Sequence, residues 1–395
     1  MNINTVLEII KKNASHFFPE EEFIKKYELY LSGKRGPLRV KYGADPSRPD
    51  LHLGHYVSLK KLRDLQELGF EIIVIIGDFT AIIGDPTGRS KTRPKLSIGE
   101  VIENSKTYIN QLSKVLDVSK IRVEYNSKWL SKLTPYDIIE LTSKYTISKI
   151  IEREDFKNRI NQGEALFIHE ILYPLFQAYD SVYLNVDIEL GGEDQLFNFT
   201  LTREIQKSYS QEPQVVLTVP LLVGTDGKLK MSKSYNNYIA FNDEPFDMFG
   251  KVMSIRDELM EDYYKLVLYY DNLEEIRKYI RENPRDAKER LGYEIVKIFY
   301  GEEVALKVKD EFNRVFRNKE IPEDALVYEL KESEDICNIL LKTKLVNSKN
   351  DFRRLLSQNA IKVNNQVIRE NIIIKENVFV RVGKHRFLKI VKYEN

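Results

Sequence analysis

Apolar and polar positions along residues 1–241 predict helices and strands in turn. Apolar residues recur at helical spacing from Leu51 to Leu68, and Gly69 then supplies a helix stop. The run EIIVIIGD that follows is apolar almost throughout, which is typical of a strand buried on both faces of a parallel sheet. The later elements are predicted as helices over residues 98–118 and 135–180, a strand in SVYLNVDIEL, a helix after Gly192 and a strand in QVVLTVPLL. This order predicts a doubly wound α/β domain, whose ligands bind beyond the carboxyl ends of the strands.

The remainder of the chain predicts two further domains. From Asn242 to Val327 the pattern is helical and charged, with Pro284 as an internal break. The tail stretch LVNSKNDFRRLLSQNAIKVNNQVI predicts a short helix, a turn at Asn364 and Asn365, and strands. The predicted domains are an α/β domain over residues 1–241, a helical domain over residues 242–330, and a small α+β module over residues 331–395.

Composition narrows the class of protein. The 395 residues are 42% apolar, which is typical of a globular chain long enough for two or three domains. The stretch MNINTVLEIIKKNASHFF predicts a short amphipathic helix and lacks the apolar core of a signal peptide, so a cytoplasmic location is expected. The single cysteine, Cys337, excludes an internal disulfide and a thiolate cluster for zinc, and is expected to be a small buried hydrophobe.

Charge is balanced overall, at +1, but it is distributed unevenly. Residues 341–395 contain 13 Lys and Arg against 4 Asp and Glu, a net charge of +9, which leaves −8 on residues 1–340. A basic module on an acidic body is typical of a domain that binds a polyanion. A solvated basic face is the alternative that charge alone leaves open.

The stretch DLHLGHY, Asp50–Tyr56, brings two of the five histidines to the start of the first long helix. Asp50 is predicted as the N-cap, with His52 and His55 in the first turns. The unpaired N–H groups and the partial positive charge of a helix N-terminus favour an anion such as phosphate. Paired histidines at this spacing are also compatible with a metal site.

A second stretch, KLKMSKSYNN at residues 228–237, places two lysines on a loop between a strand and the next helix. Lys230 and Lys233 flank Met231 and Ser232, so their ammonium groups are able to close over a triphosphate. Taken alone, a solvated loop that happens to carry two lysines is the commoner interpretation.

Together, HLGH and KMSKS resemble the two signatures, HIGH and KMSKS, of the class I aminoacyl-tRNA synthetases. This resemblance argues against a metal site at the histidines. The segments YPLFQAYD, GGEDQ and GDPTGRSKTR resemble the tyrosyl branch of the family, and the tail resembles the RNA-binding module named after ribosomal small-subunit protein four. The resemblance covers nearly the whole chain and is weakest in the helical middle.

The resemblance implies a Rossmann-type catalytic domain that activates L-tyrosine with ATP and transfers it to tRNA(Tyr). It implies tyrosine-binding roles for Lys41, Gly43, Asp85, Tyr173, Gln177, Asp180 and Gln195. It implies ATP-binding roles for Asp45, His52, Gly54, His55, Gly192, Asp194, Lys230, Met231 and Lys233. Asp180 is expected to accept the hydrogen bond of the phenolic hydroxyl, and Gly54 to let the adenine approach the backbone.

The implied chemistry needs no covalent nucleophile, because the carboxylate of tyrosine attacks the α-phosphorus of ATP. Charge spreads over the phosphate oxygens, so positioned donors are expected to supply most of the acceleration. The implied catalytic residues are His52, His55, Lys230, Lys233, Arg89 and Arg93. Mg²⁺ is expected to enter with ATP, held by phosphate oxygens and water, without a metal site built by the protein.

One position departs from the better-known branch of the family. A tyrosine there shares the phenolic hydroxyl with the aspartate, whereas this chain has Lys41, as in a second bacterial branch. Lys41 is able to pair with Asp180 or to point elsewhere, and the sequence leaves both open.

The implied partner is tRNA(Tyr), bound by a homodimer. The residues expected to hold its anticodon arm are Arg353, Arg354, Lys362, Arg381, Lys384 and Arg386. Lys149 and Arg153 are candidates for the acceptor arm, or else belong to a solvated helix face. Three rival functions are a tryptophanyl enzyme, which shares the fold and both signatures, an RNA-binding protein of the same fold without the activity, and an amino-acid adenylating enzyme without a tRNA substrate.

Overall fold

The computed structural model describes residues 2–46, 48–87, 96–316, 325–364, 366–383 and 386–392. Contacts divide the chain into two compact units. The first unit comprises residues 1–243 and 254–291, and the second comprises residues 244–253 and 292–395. The division into three domains at residues 241 and 330 stays a prediction.

The first unit is built on a six-stranded sheet. Its strands are β1 (His16–Phe18), β2 (Arg39–Ala44), β3 (Glu71–Ile76), β4 (Ile121–Tyr125), β5 (Ile188–Gly192) and β6 (Val215–Val219). They lie in the order β1-β6-β5-β2-β3-β4, with β1 antiparallel to β6 and the other neighbours parallel. The chain order reverses between β2 and β5, so the carboxyl ends of these two strands form the crevice where sheets of this kind bind ligands.

Helices connect these strands and fill the middle of the chain. In chain order they are α1 (Ile3–Lys11), α2 (Glu20–Leu31), α3 (Leu53–Glu67), α4 (Thr80–Ile83), α5 (Ile98–Ser105), α6 (Tyr108–Leu112), α7 (Ser127–Leu130), α8 (Pro135–Ser143), α9 (Ile147–Ile151), α10 (Glu154–Asn161), α11 (Ile168–Leu184), α12 (Leu196–Ser208), α13 (Pro245–Met253), α14 (Met260–Leu266), α15 (Leu273–Glu282), α16 (Pro284–Tyr300), α17 (Glu302–Phe316), α18 (Ile336–Lys342) and α19 (Lys349–Ser357). The long helix α11 packs on α12, and its Leu175 and Ala178 share one core with Ile73 of β3. This packing fixes α11 beside the crevice.

The second unit carries the predicted tail module. Its strands are β7 (Leu326–Leu330), β8 (Glu334–Asp335), β9 (Ile361–Val363), β10 (Gln366–Val367), β11 (Ile373–Ile374), β12 (Val378–Val382) and β13 (Arg386–Lys392). They form a five-stranded sheet, β10-β9-β12-β13-β7, and a two-stranded sheet, β11-β8. Cys337 is buried in the core of this unit, as predicted. The predicted turn begins at Asn364, whose φ of 48° is left-handed, and Asn365 lies outside the described residues.

The predicted fold class is confirmed: a doubly wound, mostly parallel sheet is accompanied by a helical region and a small α+β module. In the described part of the chain, no helix is both long enough and apolar enough to cross a membrane.

The start of α3 differs from its prediction. His52, with φ −140° and ψ 171°, is the N-cap, so the prediction of Asp50 is wrong. The cause is that both backbone polar groups of Leu51 are bonded to residues distant in sequence rather than to the first turn of the helix. Its N–H donates to Oε1 of Gln111 (2.6 Å), and its carbonyl oxygen accepts from the N–H of Phe241 (2.9 Å).

Three further elements differ from their predictions. Residues 98–118 form two short helices, and the edge strand β4 after them was not predicted because polar residues interrupt its apolar positions. Residues 181–184, predicted as strand, end α11, because tertiary packing overrides the strand preference of SVYL. Residues 16–18, predicted as helix, form β1.

Candidate active site

A cavity of about 740 Å³ lies at the carboxyl ends of β2 and β5. It is lined by all the described residues that the sequence assigns to tyrosine or ATP: Lys41, Gly43, Asp45, His52, Gly54, His55, Asp85, Tyr173, Gln177, Asp180, Gly192, Asp194, Gln195, Lys230, Met231 and Lys233. Arg89 and Arg93 lie outside the described residues. The fold therefore gathers at one crevice side chains that are separated by up to 192 positions along the chain, from Lys41 to Lys233.

Asp180 on α11 presents a buried carboxylate to this cavity, with 4% of the residue exposed. Its Oδ1 accepts a hydrogen bond from Nε1 of Trp129 (2.8 Å), and its Oδ2 accepts one from Nδ2 of Asn126 (3.3 Å). Burial raises the pKa of Asp180 to about 7, against the opposing charge of Lys41 and these two donors. The carboxylate is thus fixed in orientation, and its protonation changes near neutral pH.

Sequence reasoning missed both donors to Asp180. Asn126 directly follows β4, so a correct prediction of that strand would have placed it at the carboxyl edge of the sheet with the other candidates. Trp129 lies on α7 and is the chain's only tryptophan, but no motif or spacing connects it with Asp180.

Lys41 pairs with Glu189, which settles the question that the sequence left open. Its Nζ lies 2.7 Å from Oε1 of Glu189, and it also contacts Oγ of Ser181 (2.6 Å) and the carbonyl oxygen of Gln177 (3.1 Å). Lys41 and Glu189 are each 1% exposed. They are direct partners in the parallel register of β2 and β5, information that the sequence pattern does not contain.

The carboxylates of Asp45 and Asp85 also line the cavity. Asp45 accepts hydrogen bonds from the hydroxyl groups of Tyr173 (3.0 Å) and Thr80 (2.7 Å). Burial opposes ionisation of Asp85, but hydrogen bonds, led by those from Thr87, hold the pKa of its carboxyl below the usual range. Asp85 is therefore an anion at neutral pH.

Side-chain amides connect Asp85 to Gln177. Nε2 of Gln195 donates to Oδ2 of Asp85 (2.8 Å). Nδ2 of Asn198 donates both to Oε1 of Gln195 (3.0 Å) and to Oε1 of Gln177 (2.9 Å). Because Asn198 donates to the oxygens of both glutamines, and Gln195 in turn donates to Asp85, the orientations of all three amides are coupled.

The two candidates for the acceptor arm lie in different surroundings. Arg153 is 6% exposed and is paired with Asp155, with Nε 2.6 Å from Oδ1, so it does not lie on a solvated face. Lys149 is about half exposed and forms an ion pair with Glu204 (2.8 Å).

His52 is buried, His55 is partly buried at the cavity wall, and their ring centroids are 3.9 Å apart. Burial and the charge of Lys233 lower the pKa of His55 to about 3, and burial, His55 and Lys233 lower that of His52 well below its usual value. Both rings are therefore neutral at physiological pH. Among the described residues, no group of three or more His, Cys, Asp or Glu side chains is arranged to hold a metal ion.

The proton of His55 is placed by a backbone contact. Its Nδ1 lies 3.2 Å from the backbone N–H of His52 and accepts that hydrogen. A neutral imidazole carries one proton, so the proton of His55 resides on Nε2, which leaves one N–H donor for a ligand.

The lysines of the KMSKS loop also belong to the cavity. Nζ of Lys230 lies 2.5 Å from Oδ2 of Asp194, and Nζ of Lys233 donates to the carbonyl oxygen of Arg48 (3.0 Å). Asn237 supports the loop by donating from Nδ2 to the carbonyl oxygen of Lys230 (3.1 Å). Two ammonium groups thereby belong to the lining of the cavity.

Two glycines keep the cavity wall free of side chains. A Cβ on Gly54 would lie 3.0 Å from the imidazole of His52. A Cβ on Gly192 would lie 2.7 Å both from Oδ1 of Asp194 and from Cδ2 of Leu221. At both positions a larger residue would displace a side chain that itself lines the cavity, so the shape of the wall depends on glycine there.

In the second unit, the predicted tRNA contacts are spread over one helix and three strands. Arg353 and Arg354 are exposed on α19, and Arg354 is paired with Asp351 (2.5 Å). Lys362 and Arg381 are direct partners across β9 and β12. Arg386 donates to the carbonyl oxygen of Leu345, and Lys384 lies outside the described residues.

Comparison with known proteins identifies the family. A family model for class I tRNA synthetases (W and Y) matches residues 33–317. A tyrosine–tRNA ligase of Thermotoga maritima is 47% identical, over 97% of this chain and 96% of its own length. One of Aquifex aeolicus is 48% identical, over 98% of both chains.

A solved structure supports the same assignment. The tyrosyl-tRNA synthetase of Archaeoglobus fulgidus, crystallised with L-tyrosine, is 25% identical and superimposes with a TM-score of 0.64. The match covers 78% of this chain and all of that one. The chain therefore belongs to the class I tRNA synthetases of the tryptophan and tyrosine group.

Proposed function

We propose that the chain is a tyrosine–tRNA ligase that joins L-tyrosine to tRNA(Tyr) at the expense of ATP, in the cytoplasm. Relatives of 43–48% identity over nearly the whole chain carry the name tyrosine–tRNA ligase. The single observation that carries the proposal is the carboxylate of Asp180, fixed by two donors inside the cavity. An ionised carboxylate is an acceptor only, and it matches the O–H of a phenol.

The pocket around Asp180 suits the rest of tyrosine. Asp85, Tyr173 and Gln177 offer carboxylate, hydroxyl and amide oxygens to the α-ammonium group. The hydroxyl of Tyr173 donates its proton to Asp45, so toward the substrate its oxygen acts as an acceptor. Gln195 would direct the carboxylate of tyrosine toward ATP.

Adenylate formation then proceeds by displacement at phosphorus. A carboxylate oxygen of tyrosine bonds to the α-phosphorus of ATP, and the bond to the β-phosphate oxygen breaks, so that pyrophosphate leaves. The proposed donors to the phosphate oxygens are Nε2–H of His55 and the ammonium groups of Lys230 and Lys233. Mg²⁺, bound to the phosphates of ATP, would add positive charge there. In the second step a ribose hydroxyl at the 3′ end of the tRNA bonds to the carbonyl carbon of tyrosyl-adenylate and loses its proton, the bond from that carbon to the phosphate oxygen breaks, and AMP leaves.

We also infer that the chain belongs to the branch that has lysine in place of the tyrosine next to the phenol. The lysine at position 41 supports this, and its ion pair with Glu189 gives it a partner within the protein. Recognition of the hydroxyl then rests on Asp180.

The basic tail is proposed to hold the anticodon arm of tRNA(Tyr). Each phosphate contact releases counterions, so tRNA charging should weaken steeply as salt rises, with a slope of about −0.7 to −0.9 per contact on logarithmic axes. Tyrosine-dependent pyrophosphate exchange without tRNA involves no such contact and should change little. Measuring both reactions over one salt series tests this. Equal salt slopes for the two reactions would contradict the proposed binding of tRNA by the tail.

A homodimer is proposed from an exposed apolar face. Tyr136 and Ile139, three positions apart and so on one face of α8, are 84% and 66% exposed. Large apolar side chains grouped in this way mark protein interfaces. Sedimentation velocity at micromolar concentration measures the mass, and a monomer alone would contradict this part of the proposal.

The decisive experiment is exchange of labelled pyrophosphate into ATP with each of the twenty amino acids and no tRNA. Exchange with tyrosine alone is expected. Exchange with tryptophan would keep the mechanism and assign the chain to the other half of its family. No exchange with any amino acid, from folded protein that binds RNA, would instead support a binding function.

A further inference from the structure

All three N–H donors of Lys41 are engaged inside the protein. The acceptors are Oε1 of Glu189 (2.7 Å), Oγ of Ser181 (2.6 Å) and the carbonyl oxygen of Gln177 (3.1 Å), all in the described part of the chain. An ammonium group has three protons and no lone pair. A direct hydrogen bond from Lys41 to a substrate hydroxyl would therefore require one of these buried contacts to break.

These acceptors join three elements at one point. Lys41 lies on β2 and Glu189 on β5, the two strands of the switch point, while Gln177 and Ser181 lie one turn apart on α11. Asp180 lies between these last two in sequence. The ammonium of Lys41 thus holds one turn of α11 against β2 and β5. That turn carries Asp180, the proposed acceptor for the phenol.

Glu189 extends the contact to the amide of Gln177. Its Oε1 also accepts from Nε2 of Gln177 (3.4 Å), and its Oε2 accepts from Nε2 of Gln214, which is fully buried. Because a carboxylate only accepts, Gln177 must turn its nitrogen toward Glu189. Its Oε1 then faces donors: it accepts from Nδ2 of Asn198 (2.9 Å), and the α-ammonium of tyrosine is the proposed second donor, since an amide oxygen has two lone pairs.

We propose that Lys41 and Glu189 act as a positioning pair for the tyrosine pocket, and that Lys41 makes no contact with the substrate. The proposal rests on the function assigned above. The pair orients Gln177 and holds the turn that carries Asp180. Both charges are buried, so loss of either partner leaves the other uncompensated, whereas neutralising both together removes the conflict.

A double-mutant cycle tests the pair. Lys41→Met and Glu189→Gln are each expected to raise KM for tyrosine by about tenfold or more, the scale of coupled neighbours, with KM for ATP changed less than about twofold. The double variant should recover most of the loss in KM for tyrosine. A direct contact from Lys41 to the phenol predicts the opposite pattern: a nearly silent Glu189→Gln and a double variant as poor as Lys41→Met. Either that pattern or additive losses would overturn the proposal.

Ser181→Ala provides a test that keeps both charges, should a single charge variant fail to fold. Loss of one hydrogen bond to the ammonium is expected to raise KM for tyrosine by about threefold to tenfold. Ser105→Ala is the matched control, since this buried hydroxyl bonds within its own helix and does not line the cavity. Equal KM for tyrosine in the two variants would overturn the positioning role proposed for Lys41 and Glu189.

Failure of the inference is distinguishable from failure of the proposed function. Wild-type protein is assayed first for tyrosine-dependent exchange, and its absence overturns both. Where the wild type exchanges, the fluorescence of Trp129, the chain's only tryptophan and a neighbour of Asp180, gives the Kd of tyrosine without ATP. The variants should shift this Kd in the same order as KM for tyrosine. An unchanged Kd would overturn the positioning role alone.

Discussion

Asp180→Ala is expected to remove most of the discrimination between tyrosine and phenylalanine. A site built to hydrogen-bond a hydroxyl rejects the analogue without it by on the order of 10⁴ to 10⁵, a figure for which tyrosyl enzymes are themselves the standard example. Here the rejection of phenylalanine is expected from the buried carboxylate of Asp180, because phenylalanine has no hydroxyl to donate a hydrogen bond to it. The ratio of kcat/KM for the two amino acids, measured by pyrophosphate exchange, should fall by at least about a hundredfold.

Asp180→Asn and Asp117→Ala are the controls for this result. Asparagine keeps the volume and is able to accept from Trp129, but it presents an N–H₂ donor on one side, so an intermediate loss is expected. Asp117 is a carboxylate outside the cavity, and its removal should leave the ratio unchanged. Unaltered discrimination in Asp180→Ala would show that another group recognises the hydroxyl.

Because the pKa of Asp180 lies near neutral, binding of tyrosine is expected to depend on pH. Burial raises the pKa to about 7, so the carboxyl gains a proton as pH falls through that value and ceases to be an acceptor only. Affinity for tyrosine should therefore rise from about pH 6 to about pH 8, while affinity for phenylalanine should not. The groups that face this carboxyl are Lys41, Asn126, Trp129 and Glu189. The same dependence in Asp180→Asn would assign the titration to another residue.

The sequence could predict those parts of the site that lie in short motifs next to a predicted strand or helix. HLGH opens a helix after β2, GGEDQ follows β5, and the KMSKS loop follows β6, so the alternation of strands and helices already places all three at one edge of the sheet. Asp50 was wrongly predicted as N-cap because contacts of Leu51 with distant residues decide where α3 begins.

The parts that sequence could not predict depend on register and on packing between distant elements. Lys41 and Glu189 meet because β2 and β5 are paired in a particular register, which no local pattern specifies. Trp129 reaches Asp180 only after α7 and α11 join one core. Both contacts join residues with large separations in sequence, and the partners that were not predicted, Glu189 and Trp129, read in the chain alone as ordinary positions.

His55→Ala is expected to slow adenylate formation by about 10² to 10³, the cost of one transition-state donor, on the order of 3 kcal/mol. Its Nε2–H is the donor, since Nδ1 accepts from the N–H of His52. The pKa of about 3 keeps the ring neutral, so the loss should be the same from about pH 6 to about pH 8, without the inflection of an exposed histidine. Single-turnover rates of pyrophosphate release measure this step.

The affinity for tyrosine separates a transition-state role from a binding role. The Kd of tyrosine, from the fluorescence of Trp129, should be unchanged in His55→Ala, because the ring is proposed to act on phosphate oxygens as charge develops there. His55→Asn retains an amide donor and should recover part of the rate, while His16→Ala removes a histidine that bonds to Thr218 and does not line the cavity, and should leave the rate unchanged. A loss confined to KM would contradict the transition-state role, since it would mean that His55 holds ground state and transition state equally.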